Sequence, residues 1–234
     1  MNVLVGCEFS GVVREAFRRQ GHKAYSCDLL PSDDGSPYHI QGDVLLALDG
    51  MDGGYGEPWD LAIFHPPCTH LAVSGAHLFK QKAQEQAEAL DFVRKLLDSP
   101  IPRIALENPV GVISTVIRKP DQIIHPYQFG HDASKKTCLW LKGLPKLQTT
   151  HLIEGRYACI NGHVWGGQKL TLWTPPKCKE CGLFFKRRVW GNQTPSGQNK
   201  LGPSADRWKK RSVTYQGIAE AMAKQWGGQV DNQV

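Results

Sequence analysis

Two residues able to do chemistry, a cysteine and a glutamate, each follow a short apolar run that predicts a buried strand. Leu-Ala-Ile-Phe-His precedes Pro66, Pro67 and Cys68, and Pro-Arg-Ile-Ala-Leu precedes Glu107. Neither proline can donate to a strand ladder, so the first strand must end before Cys68. Ligands bind at the carboxyl ends of the strands in an open α/β sheet. If the two strands are neighbours, both side chains point into one crevice, where the carboxylate can act as a general acid or hold a substrate amino group.

Each residue also has a purely structural interpretation. A free cysteine most often fills a small buried gap, and Cys68 could do so at the strand end. Glu107 could be a solvated glutamate at a turn between strand and loop. The position of both residues at the ligand-binding edge of a sheet favours chemistry.

The amino-terminal segment predicts a strand, a turn with two glycines and a helix. The turn runs from Gly6 to Gly11 (Gly-Cys-Glu-Phe-Ser-Gly), and apolar residues at helical spacing follow it. This order opens a nucleotide-binding βαβ unit, where glycines let the ligand approach the backbone. The glycine spacing differs from the dinucleotide fingerprint, so we do not expect a nicotinamide cofactor.

Two aspartates follow the next predicted strands and suit a nucleoside ligand. Asp28 ends the strand that begins at Lys23, where a carboxylate can accept hydrogen bonds from ribose hydroxyls. Asp43 follows a short run at 39–42 and could meet the edge of an adenine. Asp28 could equally cap the turn before Leu-Leu-Pro.

Four residues farther along have the spacing of a zinc site. Cys159 and His163 are separated by three residues, fourteen residues follow, and Cys178 and Cys181 are separated by two. Such paired soft ligands predict a closed, tetrahedral and structural zinc site in a ribbon too short for its own core.

Positive charge is concentrated near this ribbon. The whole chain has a formal net charge of +6, whereas residues 186–211 alone hold eight basic residues and one acid. With Trp190 and Trp208 interleaved, this segment predicts contact with a nucleic-acid backbone. The alternative is a solvated, charged loop. The basic residues predicted to bind nucleic acid are Lys186, Arg187, Arg188, Arg207, Lys209, Lys210 and Arg211.

The chain has 234 residues, of which 41% are hydrophobic and 21% are charged. This length and composition predict a globular protein with one substantial core and a small module. Seven unevenly spaced cysteines argue against a disulfide framework. No signal peptide or run of roughly 20 apolar residues is found, so we expect a cytoplasmic protein without a membrane or obligate protein partner. The sequence predicts a helix over residues 80–97 and an antiparallel pair of strands at 123–129 and 135–141. It also predicts a last helix that is capped by Thr214.

The order of these pieces resembles the DNA cytosine-5 methyltransferase family over most of residues 1–147 and about 211–226. The resemblance is carried by Asp-x5-Pro-Pro-Cys-Thr together with Leu-Glu-Asn. Compact phage- or prophage-encoded members of the family are similar to this chain in their short length and in the motif Lys-Lys-Thr-Cys-Leu-Trp-Leu-Lys-Gly-Leu-Pro.

The resemblance implies a class I S-adenosylmethionine-dependent methyltransferase, an α/β fold with a Rossmann-like seven-stranded sheet, here with a small inserted zinc ribbon. It implies a catalytic core at 1–150, the ribbon and basic segment at 151–211, and a helix at 212–234 that returns to the core. S-adenosylmethionine would lie at the glycine turn, with Asp28 on its ribose and Asp43 near its adenine. The predicted cofactor-binding residues are Gly6, Glu8, Phe9, Ser10, Gly11, Asp28, Asp43 and Pro66.

The same resemblance implies how a cytosine in DNA, which we expect to be duplex DNA, would be methylated at carbon 5. The Cys68 thiolate would add to carbon 6, Glu107 would bind N3 and the amino group, and Asn108 would hold the loop. Lys136 stands near the place where the family uses arginine. The ribbon and basic segment occupy the place of the family's large target-recognition domain, so we expect a reduced recognition module. RNA, single-stranded DNA or a nucleotide as substrate, and a silent nucleic-acid binder, are the alternatives.

Overall fold

A computed structural model describes residues 1–48, 57–72, 82–165, 177–185, 187–194 and 199–228, and for Arg187 the backbone only. The chain divides into two compact units. The first comprises Met1–Ile124, Lys136–Gln148 and Thr214–Val234, and the second comprises His125–Lys135 and Thr149–Val213. Within the described ranges, no helix is both long and apolar enough to cross a membrane.

The first unit is built on a seven-stranded sheet with the strand order β3-β2-β1-β4-β5-β7-β6 in the described residues. Strands β1 to β5 are parallel, whereas β7 is antiparallel to both β5 and β6. This is the class I S-adenosylmethionine-dependent methyltransferase fold, and the predicted sheet with an antiparallel edge is confirmed. The strands are β1 (Asn2–Gly6), β2 (Lys23–Asp28), β3 (His39–Gln41), β4 (Leu61–Phe64), β5 (Ile104–Pro109), β6 (Gln122–Ile124) and β7 (Thr137–Lys142).

Helices cover this sheet and bury its central strands. Every residue of β4 is fully buried, which explains its uninterrupted apolar sequence. The helices are α1 (Val12–Arg19), α2 (Val44–Ala47), α3 (Ala83–Asp98), α4 (Ile113–Val116) and α6 (Gln216–Gly227). Helix α6 packs against α1. The helical spacing of apolar residues in its sequence predicts one buried face, and this is confirmed, because Ile218, Ala219, Met222, Ala223 and Trp226 are all buried. Its N-cap residue is Tyr215 rather than the predicted Thr214.

The carboxyl ends of β6 and β5 differ from the sequence prediction. β6 ends at Ile124 instead of continuing to residue 129, because Pro126 begins a short 3-10 turn. β5 extends to Pro109, because its last residues pair with β7. Glu107 therefore lies inside a strand and not in a turn.

The second unit contains a three-stranded antiparallel sheet, ordered β10-β8-β9, within the described residues. Its strands are β8 (Arg156–Ala158), β9 (Val164–Trp165) and β10 (Arg187–Val189), and helix α5 (Arg207–Ser212) follows them. A small cluster of buried cysteines and Phe185 forms its core.

Candidate active site and candidate metal centre

Strand register brings three chain segments together at the carboxyl edge of the sheet. Gly6 of β1 pairs with Phe64 of β4, and Phe64 pairs with Leu106 of β5. The residues that follow these three therefore lie side by side. The amide of His65 continues the ladder by donating to the Gly6 carbonyl at 2.9 Å.

His65 and Glu107 contact each other at this edge. Nδ1 of His65 lies 3.2 Å from Oε2 of Glu107, and the two side chains are only 8% and 15% exposed. Which of the two groups donates depends on the tautomer of the imidazole. β4 and β5 are neighbours, which is the condition under which the sequence predicts a shared crevice.

Asn108 ties the next turn to the sheet. Its Nδ2 donates to the carbonyl of Pro66 at 2.8 Å, and the residue is 1% exposed. Pro66 is also buried, whereas Pro67 is exposed. The loop that begins at Pro66 is thus fixed from β5 by a buried hydrogen bond, whose loss would leave buried polar groups unsatisfied.

Cys68 is the exposed thiol among seven cysteines, all of which lie in the described ranges. Its carbonyl accepts from the amides of Leu71 and Ala72, so a single helical turn follows it. Burial raises the pKa of Cys27 to about 12, with the nearby Asp28 charge adding to the effect. Burial also raises the pKa of Cys7, well above its ordinary value, and that of Cys138.

The glycine turn is shaped by the protein's own side chains. A Cβ on Gly6 would lie 2.6 Å from atoms of Phe64 and Val44. Gly11 has a φ of 71°, and a Cβ there would lie 2.3 Å from the Arg14 guanidinium. Close packing inside the first unit therefore requires both glycines.

Glu8 caps helix α1. Its Oε1 accepts from the amide of Val13 at 2.7 Å, its Oε2 from that of Arg14 at 3.2 Å, and Ser10 lies close to it. Burial raises the pKa of Glu8, while the facing His65 and the backbone donors oppose that effect. Because these carboxylate oxygens occupy the helix N-terminus, the turn has no cradle for a phosphate.

The predicted nucleoside-binding aspartates both lie at the same sheet edge. Asp28 ends β2 and accepts from the Leu30 amide at 2.9 Å, as in the turn-capping interpretation. Partial burial raises the pKa of Asp28, although hydrogen bonding opposes it. Asp43 is exposed and caps α2 through the Leu45 amide at 2.9 Å. Phe9 is buried.

Lys136 is exposed and directly precedes β7. Since Thr137 pairs with Pro109, Lys136 lies at the carboxyl end of β5.

Sequence reasoning missed His65 and Arg14. His65 stands between the apolar run and the two prolines, which is the signal that could have identified it. Arg14 is fully buried and donates to Ser26 at 2.8 Å and to Asp34. A charged residue between the apolar positions of α1 was the signal there.

The four predicted metal ligands converge in the second unit. The ligand atoms of Cys159, His163, Cys178 and Cys181 all lie within 4.8 Å of one another. The sulfurs of Cys159 and Cys181 are 3.6 Å apart, and Nδ1 of His163 lies 3.3 Å from the Cys178 sulfur. A tetrahedron with zinc–sulfur bonds of about 2.3 Å has edges of about 3.8 Å, so this donor set is compatible with zinc.

Each ligand pair is presented by a tight turn. The amide of Gly162 donates to Cys159 at 3.0 Å and that of Gly182 to Cys178 at 2.8 Å, and both glycines have positive φ. Nε2 of His163 contacts Glu180 at 3.1 Å, which is how metal-bound imidazoles are usually oriented.

The predicted basic segment comprises β10 and helix α5, and Lys186 lies outside the described residues. Arg188 is exposed and lies over the ring of Tyr157. Trp190 is not part of a surface stripe, because it is 6% exposed and stacks on Tyr127 with centroids 4.2 Å apart. Trp208 is 57% exposed among basic residues.

No protein-family model matches the sequence, and the search of curated proteins finds no match. Among solved structures, it is similar to a prophage-encoded E. coli protein provisionally described as a DNA modification methyltransferase, at 15% identity and a TM-score of 0.43. That match covers 65% of this chain and 52% of the other. A triple mutant of Spodoptera frugiperda DNMT2 has 12% identity and a TM-score of 0.39, covering 65% and 54%.

This chain thus spans about half the length of both structures. At these TM-scores, the fold assignment rests on the strand order of the sheet and not on the two likenesses.

Proposed function

We propose that this protein transfers a methyl group from S-adenosylmethionine to carbon 5 of cytosine in DNA, through a covalent adduct with Cys68. The observation that carries the proposal is the carboxyl edge of β4 and β5, where Asn108 holds the loop that bears the exposed Cys68 thiol and Glu107 contacts His65, three residues before Cys68. A nucleophile and a carboxyl group on neighbouring strands suit the activation of a pyrimidine ring.

The residues at the glycine turn fit a nucleoside better than a nucleotide. The helix amides that could bind a phosphate are engaged by Glu8, whereas Asp28 and Asp43 stand at the ends of β2 and β3. These aspartates would hold the ribose and adenine of S-adenosylmethionine. When bound, S-adenosylmethionine supplies the methyl group that carbon 5 takes up.

The chain's own residues activate the cytosine ring and release it after methylation. The Cys68 sulfur forms a bond with carbon 6, which makes carbon 5 nucleophilic. A protonated Glu107 stabilises the negative charge that develops at N3, and Asn108 keeps the Cys68 loop in place. After methylation, loss of the carbon 5 proton to a base expels the thiolate and restores the ring.

The test is methyl transfer from labelled S-adenosylmethionine, followed by mass analysis of nucleosides from duplex DNA, single-stranded DNA and RNA. We expect label at carbon 5 of cytosine in duplex DNA. Cys68→Ser should abolish transfer, by at least about 1,000-fold, because a hydroxyl is a far weaker nucleophile at neutral pH. Thr69→Ser, an exposed neighbour on the same loop, is the matched control and should keep wild-type activity.

The alternatives give different outcomes in the same assay. Label found only in RNA or in a free nucleotide would show that this molecule, and not DNA, is the substrate. No transfer to any of these by the wild-type protein, with DNA binding intact in Cys68→Ser, would indicate a silent nucleic-acid binder.

The four converging ligands are proposed to bind one structural zinc ion. Elemental analysis should find one zinc per chain in the wild type and in Cys68→Ser, and substantially less in Cys178→Ser. Equal zinc content in the two variants would contradict the assignment. Comparing Cys68→Ser with Cys178→Ser also separates the catalytic cysteine from a metal ligand. Only Cys68→Ser should lose methyl transfer while the protein stays folded and keeps its zinc.

A further inference from the structure

The least explained feature of the candidate active site is His65. Its side chain is buried between two acids, with Glu107 in contact on β5 and Glu8 facing it after β1. In the described part of the chain, its Nε2 is buried and has no hydrogen-bond partner. A ring with one nitrogen engaged and the other unpaired carries its proton on the engaged nitrogen, because a buried N–H without an acceptor is costly.

We infer that His65 is a positioning residue, which through Nδ1–H holds Oε2 of Glu107 so that Oε1 faces the substrate base. This inference rests on the proposed function for the identity of the base.

The arrangement fixes how Glu107 handles its proton. With Oε2 held by His65, the proton that meets the ring nitrogen is carried on Oε1. When Oε1 gives up that proton, the carboxylate that forms is stabilised by the hydrogen bond already present at Oε2. Pro66 follows His65 directly and restricts its backbone, so the imidazole is held in position before the substrate binds.

Two substitutions separate this role from simple packing. Asparagine places an N–H donor where Nδ1 of histidine stands, whereas glutamine places one near Nε2. We expect His65→Asn to keep kcat within about fivefold of wild type and His65→Gln to lose about 10- to 100-fold, since misplacing a reacting group has costs of this order. The KM for S-adenosylmethionine should change less than twofold in both. Equal kcat values for the two variants would overturn the inference.

A measurement that does not depend on transfer reads the tautomer directly. Long-range ¹H–¹⁵N spectra of the full-length protein should show His65 as the Nδ1–H tautomer, with the signal identified by its loss in His65→Gln. Glu107→Ala should shift the ring toward the Nε2–H form, and Glu85→Ala, an exposed acid on α3, should not. An Nε2–H tautomer in the wild type would overturn the inference even if His65 variants fail to fold. Absence of transfer by the wild type, with the Nδ1–H tautomer present, would reject the proposed function but keep the His65–Glu107 pair.

Discussion

The cysteines of this chain differ chiefly in how strongly burial destabilises the thiolate. Cys7, Cys27 and Cys138 are withdrawn from water, which disfavours their thiolates, whereas Cys68 is exposed at the end of a fixed loop. A thiol with a pKa of about 12 is ionised to about one part in 10⁴ at pH 8. Reactivity should therefore be confined to few sites.

We predict that iodoacetamide at pH 8 modifies the native, zinc-loaded protein at Cys68 alone. Peptide mapping by mass spectrometry after limited reaction measures this, because alkylation requires an accessible thiolate. Removing zinc with a chelator should add modification at Cys159, Cys178 and Cys181. Rapid labelling of Cys27 in the native state would contradict the prediction, because it would show that this thiol is accessible to solvent.

The packing of α6 on α1 depends on one close approach between elements. A Cβ on Gly227 would lie 2.4 Å from Nε2 of His22, a buried residue that follows α1. We predict that Gly227→Ala destabilises the fold by about 1–3 kcal/mol, although alanine is the better helix former. Urea denaturation measures the change, which should largely disappear in a His22→Ala background. Gly202→Ala, where a Cβ meets nothing within 4 Å, should be close to neutral.

His22 also makes this helix contact sensitive to acid. Burial lowers the pKa of His22, and the nearby N-terminal amine and Arg103 add to the effect. As pH falls through about 6.5, the unfolded chain takes up a proton that the folded His22 resists, so stability is lost. We predict a larger loss in urea midpoint between pH 7.5 and 5.5 for wild type than for His22→Leu. His151→Gln, at an exposed histidine, should follow the wild type; parallel behaviour of all three would contradict the prediction.

At the scale of the whole molecule, the net charge of +6 conceals a local excess. The last turn of helix α5 contains Lys209, Lys210 and Arg211, and Nζ of Lys210 lies 2.6 Å from the Asp206 carboxylate. That pairing lowers the pKa of Asp206 to about 2. We expect Lys209 and Arg211 of this helix to contact a phosphate backbone.

We predict that the double variant Lys209→Ala, Arg211→Ala weakens duplex binding and reduces the slope of log affinity against log salt by about 2, since each phosphate contact contributes about 0.9. Fluorescence anisotropy over a salt series measures the slope. The control removes two exposed arginines of the first unit, Arg19→Ala and Arg94→Ala, at the same change in net charge. An equal slope change in the control would show that net charge, and not α5, governs binding.

The sequence by itself determined the features that depend on short-range chemistry. Apolar runs predicted β4 and the buried face of α6, because burial on one or both faces imposes the residue pattern. The spacing of Cys159, His163, Cys178 and Cys181 predicted the ligand set, because each pair is presented by a local turn. The antiparallel edge of the sheet was also predicted, from the two segments at 123–129 and 135–141.

Only the tertiary structure decided which distant residues meet. β5 continues through Glu107 because β7 pairs with it, and no pattern within 102–109 contains that partner. His65 contacts Glu107 because β4 and β5 are adjacent, and Trp190 is buried because Tyr127 stacks on it. These contacts join residues dozens of positions apart, so strand order and packing fix them, whereas local propensity carries no information about them.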